Sequence, residues 1–424
     1  MNATTTSLNN KIQPGSTLKP RIFDNFAKDV LLKQFKNIND GEITIYDGKE
    51  RYYFGNRTKR CTLSVNITVL DSRFYGDMCF GGSIGASEAF MANYWTTSNL
   101  TDLIRIFISN RDVLENLEGG LAKLTLPIQK TLHWLNRNTQ LGSRKNIAAH
   151  YDIGNDLFKT MLDETMMYSS AIFTKTNTSL YDAQINRLDE VCKKLDLQET
   201  DELLEIGTGW GGLSIYAAKY YGCNVTTTTI SKQQYDLACQ RVKDENLTDK
   251  ITILFEDYRD LSGQYDKLVS IEMIEAIGHQ YYDTYFKKCS DLLKPDGMML
   301  LQAITIADQQ YNQAKKEVDF IKRYIFPGSC IPSNTAMLNA ITKSSDLRLF
   351  NLNDIGPHYA ETLKRWRHNI HNNIEHIKGL GYNDEFLRMW EFYLCYCEGG
   401  FMERVISDVH MLLVKPDNRC THLE

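Results

Sequence analysis

Between about Phe23 and Gln140, apolar and polar residues alternate in GEITIYDG, YYFGN and TLSVNITVLDSRFYGDMCFGG, which predicts short strands with one buried face. In NLTDLIRIFISNRDVLENL the apolar residues recur every three or four positions, which predicts a helix. Together they make a small α+β unit. The polar, basic run Asn136–Asn146 reads as a linker to a second unit. From Asp201 the pattern changes to strand, glycine-rich turn, helix and strand. ELLEIGTGWGGLSIYAAKYYG is followed by CNVTTTTI, SKQQYDLACQRVKDEN, KITILFED, KLVSIEMI, DTYFKKCSDLL and GMMLLQAIT. That alternation predicts a parallel, doubly wound α/β sheet. After about Ile331 the chain reads as mostly helical, with AETLKRWRHNIHNNIEHIKGL and NDEFLRMWEFYLCYCEGGF amphipathic, before a last strand ISDVHMLLVKP. The expected organisation is a tail at 1–22, an α+β unit at 23–140 and a catalytic unit at 141–424 with helical additions at about 308–400.

At 424 residues the chain has room for about two to three domains. Its 42% apolar and 11% aromatic content argues against disorder, and a net charge of −5 argues against a nucleic-acid binder. The longest apolar stretch, Met298–Ala307 with Gln302 inside it, is about half of a membrane span. Ten cysteines without a CxxC pair or a Cys/His zinc spacing fit reduced thiols in the cytoplasm, and no metal site is expected. The polar start lacks the apolar core of a secretory signal and reads as a loose tail.

Glu205-Ile-Gly207-Thr-Gly209-Trp-Gly211-Gly212 stands where a strand becomes a helix, so its glycines would let the backbone approach a ligand at the helix N-terminus. A dinucleotide site wants a carboxylate about 20 residues later. Thr227-Thr-Thr-Ile-Ser-Lys stands there instead. Glu205 two places before the first glycine resembles the first motif of class I S-adenosylmethionine (SAM) methyltransferases, in which such a carboxylate faces the cationic end of the cofactor.

Further segments resemble one family, the cyclopropane fatty-acyl-phospholipid synthases and their mycolic-acid-modifying relatives. They are His150-Tyr-Asp-Ile-Gly154-Asn-Asp156, Met167-Tyr168-Ser169-Ser170-Ala, Thr229-Ile-Ser231-Lys-Gln-Gln234, Asp257-Tyr258-Arg259 and Glu272-Met-Ile-Glu275-Ala-Ile-Gly278-His279. Tyr324-Ile-Phe-Pro327-Gly, His358-Tyr359 through Trp366, and Tyr396-Cys397-Glu-Gly-Gly-Phe401 follow in the family's order. The resemblance runs from about residue 50 to 416 and implies a Rossmann-like doubly wound catalytic unit. It also implies that Tyr168, Ser169, Glu205, Gly207, Gly209, Gly211, Thr229, Ser231, Gln234, Asp257, Tyr258 and Ile271 bind SAM.

The implied reaction joins SAM's methyl carbon to a cis double bond in an acyl chain of a membrane phospholipid and closes a cyclopropane ring. An alkene is a weak nucleophile, so the chemistry needs an aligned donor in a dry apolar cavity. Aromatic faces can stabilise the resulting carbocation, and Tyr168, Phe326, Tyr359 and Trp366 are the candidates. The resemblance assigns a proton-accepting bicarbonate to a cage of Ser170, Glu275, Gln302, Ile304 and Tyr359. Ser170 and Gln302 stand where the best-known synthases have Cys and His, and Ala276 replaces the His after the glutamate. Methyl-branched or exomethylene products, or a non-catalytic lipid-binding protein, are the alternatives. Cys397 falls on a cysteine proposed as catalytic in the family, although a packed thiol is the simpler reading. His150 and His358 read as scaffolding and Cys395 as core. Lys364, Arg365 and Arg367 around Trp366 read either as a solvated face or as a basic, aromatic surface for transient docking on the inner face of the membrane. Lipid access and homodimer formation are implied for the N-terminal unit.

Overall fold

The computed structural model describes residues 22–113, 115 and 154–419. The expected tail, the linker Asn136–Asn146, the 140/141 boundary and His150 lie outside the described residues. In the N-terminal unit four strands, β1 (Gly41–Asp47), β2 (Glu50–Asn56), β3 (Ser64–Val69) and β4 (Trp95–Thr97), form a sheet in the order β2-β1-β3-β4. Strict alternation of buried and exposed residues along β3 sets its core face. Helix Leu100–Ser109 follows, with Asn99 accepting a bond from the Asp102 amide at its N-terminus.

One segment differs from the reading above. Arg73–Met91 is helical where the sequence suggested strand continuing to Gly82. Phe74, Tyr75, Met78 and Cys79 are buried at helical spacing, and the glycines that disguise it bend the helix at Gly82, whose φ is 57° and ψ −138°. The bend folds the second half back so closely that a Cβ on Gly85 would lie 1.9 Å from the Asp77 carbonyl oxygen.

The catalytic sheet has seven strands: β5 (Glu202–Ile206), β6 (Asn224–Thr228), β7 (Ile251–Leu254), β8 (Tyr265–Ile271), β9 (Leu293–Ile306), β10 (Arg348–Asp354) and β11 (Ile406–Val414). Their order is β10-β11-β9-β8-β5-β6-β7. Strands β5 to β9 are parallel, as expected, and buried Met298–Leu301 shows the continuous apolar run of a doubly covered strand. The sheet is not parallel throughout. Helix Asp384–Met402 delivers the chain to the C-terminal end of β9, so β11 runs back along it, pairing Ile406 with Ile306 and Val414 with Met298. Strand β10 is an addition within a region expected to be helical. All seven of its residues are exposed, so no buried face marked it in the sequence. Chain order reverses at β5, which has β6 on one side and β8 on the other, and this opens a crevice at the carboxyl ends of these strands.

The N-terminal unit shares a continuous core with the C-terminal helices. Helix Asp384–Met402 lies against Leu100–Ser109, where a Cβ on Gly399 would stand 2.9 Å from Ile104. Arg388 Nε donates to the Met91 carbonyl at 2.7 Å and Thr101 Oγ1 to Glu398 at 3.1 Å. Trp366, expected as an exposed anchor in one reading, is fully buried on the inner side of helix Gly356–Asn372, against the rings of Tyr168 and Tyr359. Its neighbours are paired: Arg365 with Glu361 at 2.7 Å and Arg367 with Glu398 at 3.0 Å. Among the described residues no helix is long and apolar enough to cross a membrane.

Candidate active site

The crevice opens into a cavity of about 1030 Å³ that reaches from the glycine turn to the N-terminal unit. At its polar end β5 carries Glu205, buried, whose Oε2 accepts from the hydroxyls of Thr227, at 2.7 Å, and Ser214. Burial pushes the Glu205 carboxyl up to about 7, against these two donors. Gly207 and Gly209 follow with φ of 104° and 52°, and a Cβ on Gly209 would project into open space. A ligand can therefore lie directly against this turn.

Gln234 accepts from Thr229 Oγ1 at 2.8 Å, and both residues line the cavity with Tyr168, Ser169, Asp257, Tyr258 and Ile271. Arg259 fixes the Asp257 carboxylate with two bonds, at 2.7 and 2.8 Å. Two expected cofactor residues stand back from the cavity. Gly211 takes a left-handed turn before helix Gly212–Tyr221, and Ser231 caps helix Lys232–Asp244 by accepting from the Gln234 amide. A buried carboxylate held by neutral hydroxyls beside an open glycine turn fits a cationic ligand such as SAM. Its residues Glu205, Thr229 and Gln234 would hold the cationic end and the ribose.

Beyond this end the wall turns aromatic and apolar, with Tyr168, Phe326, Tyr359, Tyr393 and Phe401 around it. Tyr359 stacks on Phe401 at 4.4 Å. Trp366 supports Tyr168 and Tyr359 from behind instead of lining the cavity. Glu275 sits in the short turn Ile274–Ala276, buried, with Oε1 accepting from the Ile304 amide at 2.5 Å. Its Oε2 has no hydrogen-bond partner among the described residues, and burial raises the carboxyl to about 8.

Of the five expected cage residues, Glu275, Ile304 and Tyr359 line the cavity, whereas Ser170 and Gln302 do not. The donors meet on a residue that the sequence reading passed over. Glu272, at the end of β8, lines the cavity and accepts from the Ser170 amide at 2.8 Å, Gln302 Nε2 at 2.7 Å and the Tyr359 hydroxyl at 2.6 Å. Gln302 Nε2 also donates to Asp408 at 2.8 Å. The Gln302 amide is oriented in turn: Lys194 donates to His410 Nδ1 at 3.1 Å, which leaves His410 Nε2 as the donor to Gln302 Oε1 at 3.1 Å. Burial pushes the carboxyls of both Glu272 and Asp408 up, and the neighbouring carboxylates Glu272 and Glu275 push Asp408 up further. Arg187 is buried nearby, donates to Ser169 Oγ at 3.0 Å and Gln184 at 2.9 Å, and lends positive charge to Glu205, Glu272 and Asp408. A carboxylate three residues before Glu275 was the only local signal for Glu272.

Cys397 lines the apolar wall, and burial pushes its thiol well up. Cys395 is core, and His358 Nδ1 accepts from the Phe173 amide at 3.3 Å, a scaffolding contact.

Comparison with known proteins adds four findings. The mycolic acid cyclopropane synthetase family matches residues 139–411. The chain is 36% identical over 352 residues to tuberculostearic acid methyltransferase UfaA1 of Mycobacterium tuberculosis, covering 79% of each chain. It is also 36% identical over 349 residues to cyclopropane-fatty-acyl-phospholipid synthase of Escherichia coli K12, covering 81% of this chain and 86% of that one. Among solved structures, mycolic acid cyclopropane synthase CmaA1 with SAH and CTAB superposes with a TM-score of 0.60 at 29% identity, over 64% of this chain and 98% of that one.

Proposed function

The chain belongs to the mycolic acid cyclopropane synthetase family of SAM-dependent, lipid-modifying methyltransferases, and from that premise we propose that it methylates the cis double bond of an unsaturated acyl chain in a membrane phospholipid and closes a cyclopropane ring. The observation that carries this reading is the continuity of the cavity: a site for a sulfonium at Glu205 and Gly209 opens directly into an apolar channel bounded by both units. SAM supplies an electrophilic methyl carbon. Bond formation with the alkene's π pair leaves a carbocation on the chain, and the rings of Tyr168, Phe326 and Tyr359 surround that charge without trapping it. Loss of one proton from the added methyl then leaves a C–H electron pair that closes the ring. The substrate's origin in a bilayer implies transient docking on the inner membrane face.

SAM carrying a CD₃ group, supplied with vesicles of unsaturated phospholipid, separates the products. A ring retains two deuteriums. A second reading, methyl branching or an exomethylene product, is favoured by the withdrawal of Ser170 and Gln302 from the cavity. Three retained deuteriums in a branched chain that has lost one of its own hydrogens and stays unsaturated would establish methyl branching, and an exomethylene carbon retains two while keeping the chain unsaturated towards hydrogenation.

A further inference from the structure

We propose that Glu272 is the proton acceptor of this site, a carboxylate on a tether that fills the seat expected for a free bicarbonate. The proposal rests on the reading that an alkene is methylated here. Three groups of the expected cage, the Ser170 amide, the Gln302 amide and the Tyr359 hydroxyl, all donate to the Glu272 carboxylate. A planar CO₂⁻ group thus already receives the hydrogen bonds that a bound carbonate-type anion would need. These residues do not fit a second anion in that place, since it would meet a carboxylate with its donors already engaged.

The backbone gives an independent sign. Glu272 has φ +47°, a left-handed conformation that favours glycine, and its amide donates to the Gln302 carbonyl at 2.8 Å. Glycine would hold this turn without strain. A glutamate kept there despite the strain suggests selection for the side chain. Behind it, the Lys194, His410 and Gln302 relay fixes the amide so that both of its N–H groups face carboxyls. Three donors converge on one carboxylate, so the ring of partners is built for an anion at Glu272. In the reaction the cation's C–H pair forms the new carbon–carbon bond and the proton passes to the Glu272 carboxylate. It returns to solvent once the product leaves.

The experiment compares wild type, Glu272→Gln and Glu272→Gly. Binding of ¹³C-bicarbonate is followed by NMR on each protein with SAH and without lipid, so this arm stands even if the vesicle substrate is the wrong one. Wild type should show no saturable bicarbonate binding, and its turnover should not change when CO₂ and bicarbonate are removed. Glu272→Gly should bind bicarbonate, melt at higher temperature in its presence, and regain activity on its addition. Glu272→Gln, which keeps the shape without the base, should lose about a hundredfold in kcat with SAH affinity unchanged. Saturable bicarbonate binding by wild type, bicarbonate-dependent wild-type turnover, or full activity of either variant without bicarbonate would overturn the proposal.

Discussion

At Glu205 burial outweighs two hydroxyl donors, and the carboxyl is left near 7 because no cation contacts it directly. The cationic end of SAM would supply that charge and favour the ionised form, so binding must expel whatever proton Glu205 carries. SAM affinity should therefore fall as pH is lowered through about 7, and binding near neutral pH should release protons. Calorimetry in two buffers of different ionisation enthalpy measures this release, and proton-neutral binding at pH 7 would separate Glu205 from the cationic end. Cys397 poses the opposite case. Its thiol is pushed well up by burial, with Asp319 adding to the shift, so little thiolate exists at neutral pH. Cys397→Ser should cost less than about tenfold in kcat, or about 1.4 kcal/mol of barrier. A hundredfold loss with unchanged Tm would give the thiol a chemical role. The residues legible in the sequence, Glu205, Gly207, Gly209, Thr229 and Gln234, lie on a strand end, a turn and a helix start whose spacing is local. Glu272 was not legible, because its partners Ser170, Gln302, Tyr359 and Asp408 come from separate stretches of chain that only the fold brings together.

Among the elements, the alternating sheet was readable from β5 to β9 because strand-length segments rich in apolar or β-branched residues alternate with helix-length ones, β6 being marked by Val225 and its threonines. Arg73–Met91 was not, since Gly76, Gly81, Gly82 and Gly85 interrupt the helical pattern and read as turns. Gly82 carries the bend, and Gly85 has a demanding place in the packing. Gly85 lies where the two halves of the bent helix meet, 1.9 Å from a carbonyl oxygen to any added Cβ, and that oxygen belongs to backbone that cannot rotate away. Gly85→Ala should destabilise the N-terminal unit by about 1–3 kcal/mol through overpacking. The same variant should keep its SAM affinity, because the glycine turn of β5 belongs to the other sheet. A melting curve and a SAM titration on one preparation test both halves, and an unchanged Tm would mean that the helix bend relaxes freely.

Taken whole, the molecule places its electrophile-binding end on the α/β sheet and much of its apolar wall on the N-terminal unit. Phe74, Met78, Ala86, Trp95, Ile104 and Phe107 all line the cavity, and helix Asp384–Met402 faces them with Phe392, Tyr396 and Cys397. The shared core makes this arrangement rigid: Gly399 against Ile104 and Arg388 on the Met91 carbonyl lock the two walls together. Channel length is then set by side chains far from the glycine turn, which separates recognition of the acyl chain from recognition of SAM. Ala86 is the position to test, because it is only partly buried, it lines the distal wall, and its carbonyl accepts from Trp95 Nε1 at 3.0 Å through backbone that a substitution leaves intact. Ala86→Phe should shorten the channel and shift preference towards shorter acyl chains or double bonds nearer the methyl end, with SAM affinity and Tm nearly unchanged. Competition between vesicle lipids of two chain lengths, read by mass spectrometry, measures the shift. An unaltered product ratio would mean that the acyl chain leaves the cavity before reaching the N-terminal unit.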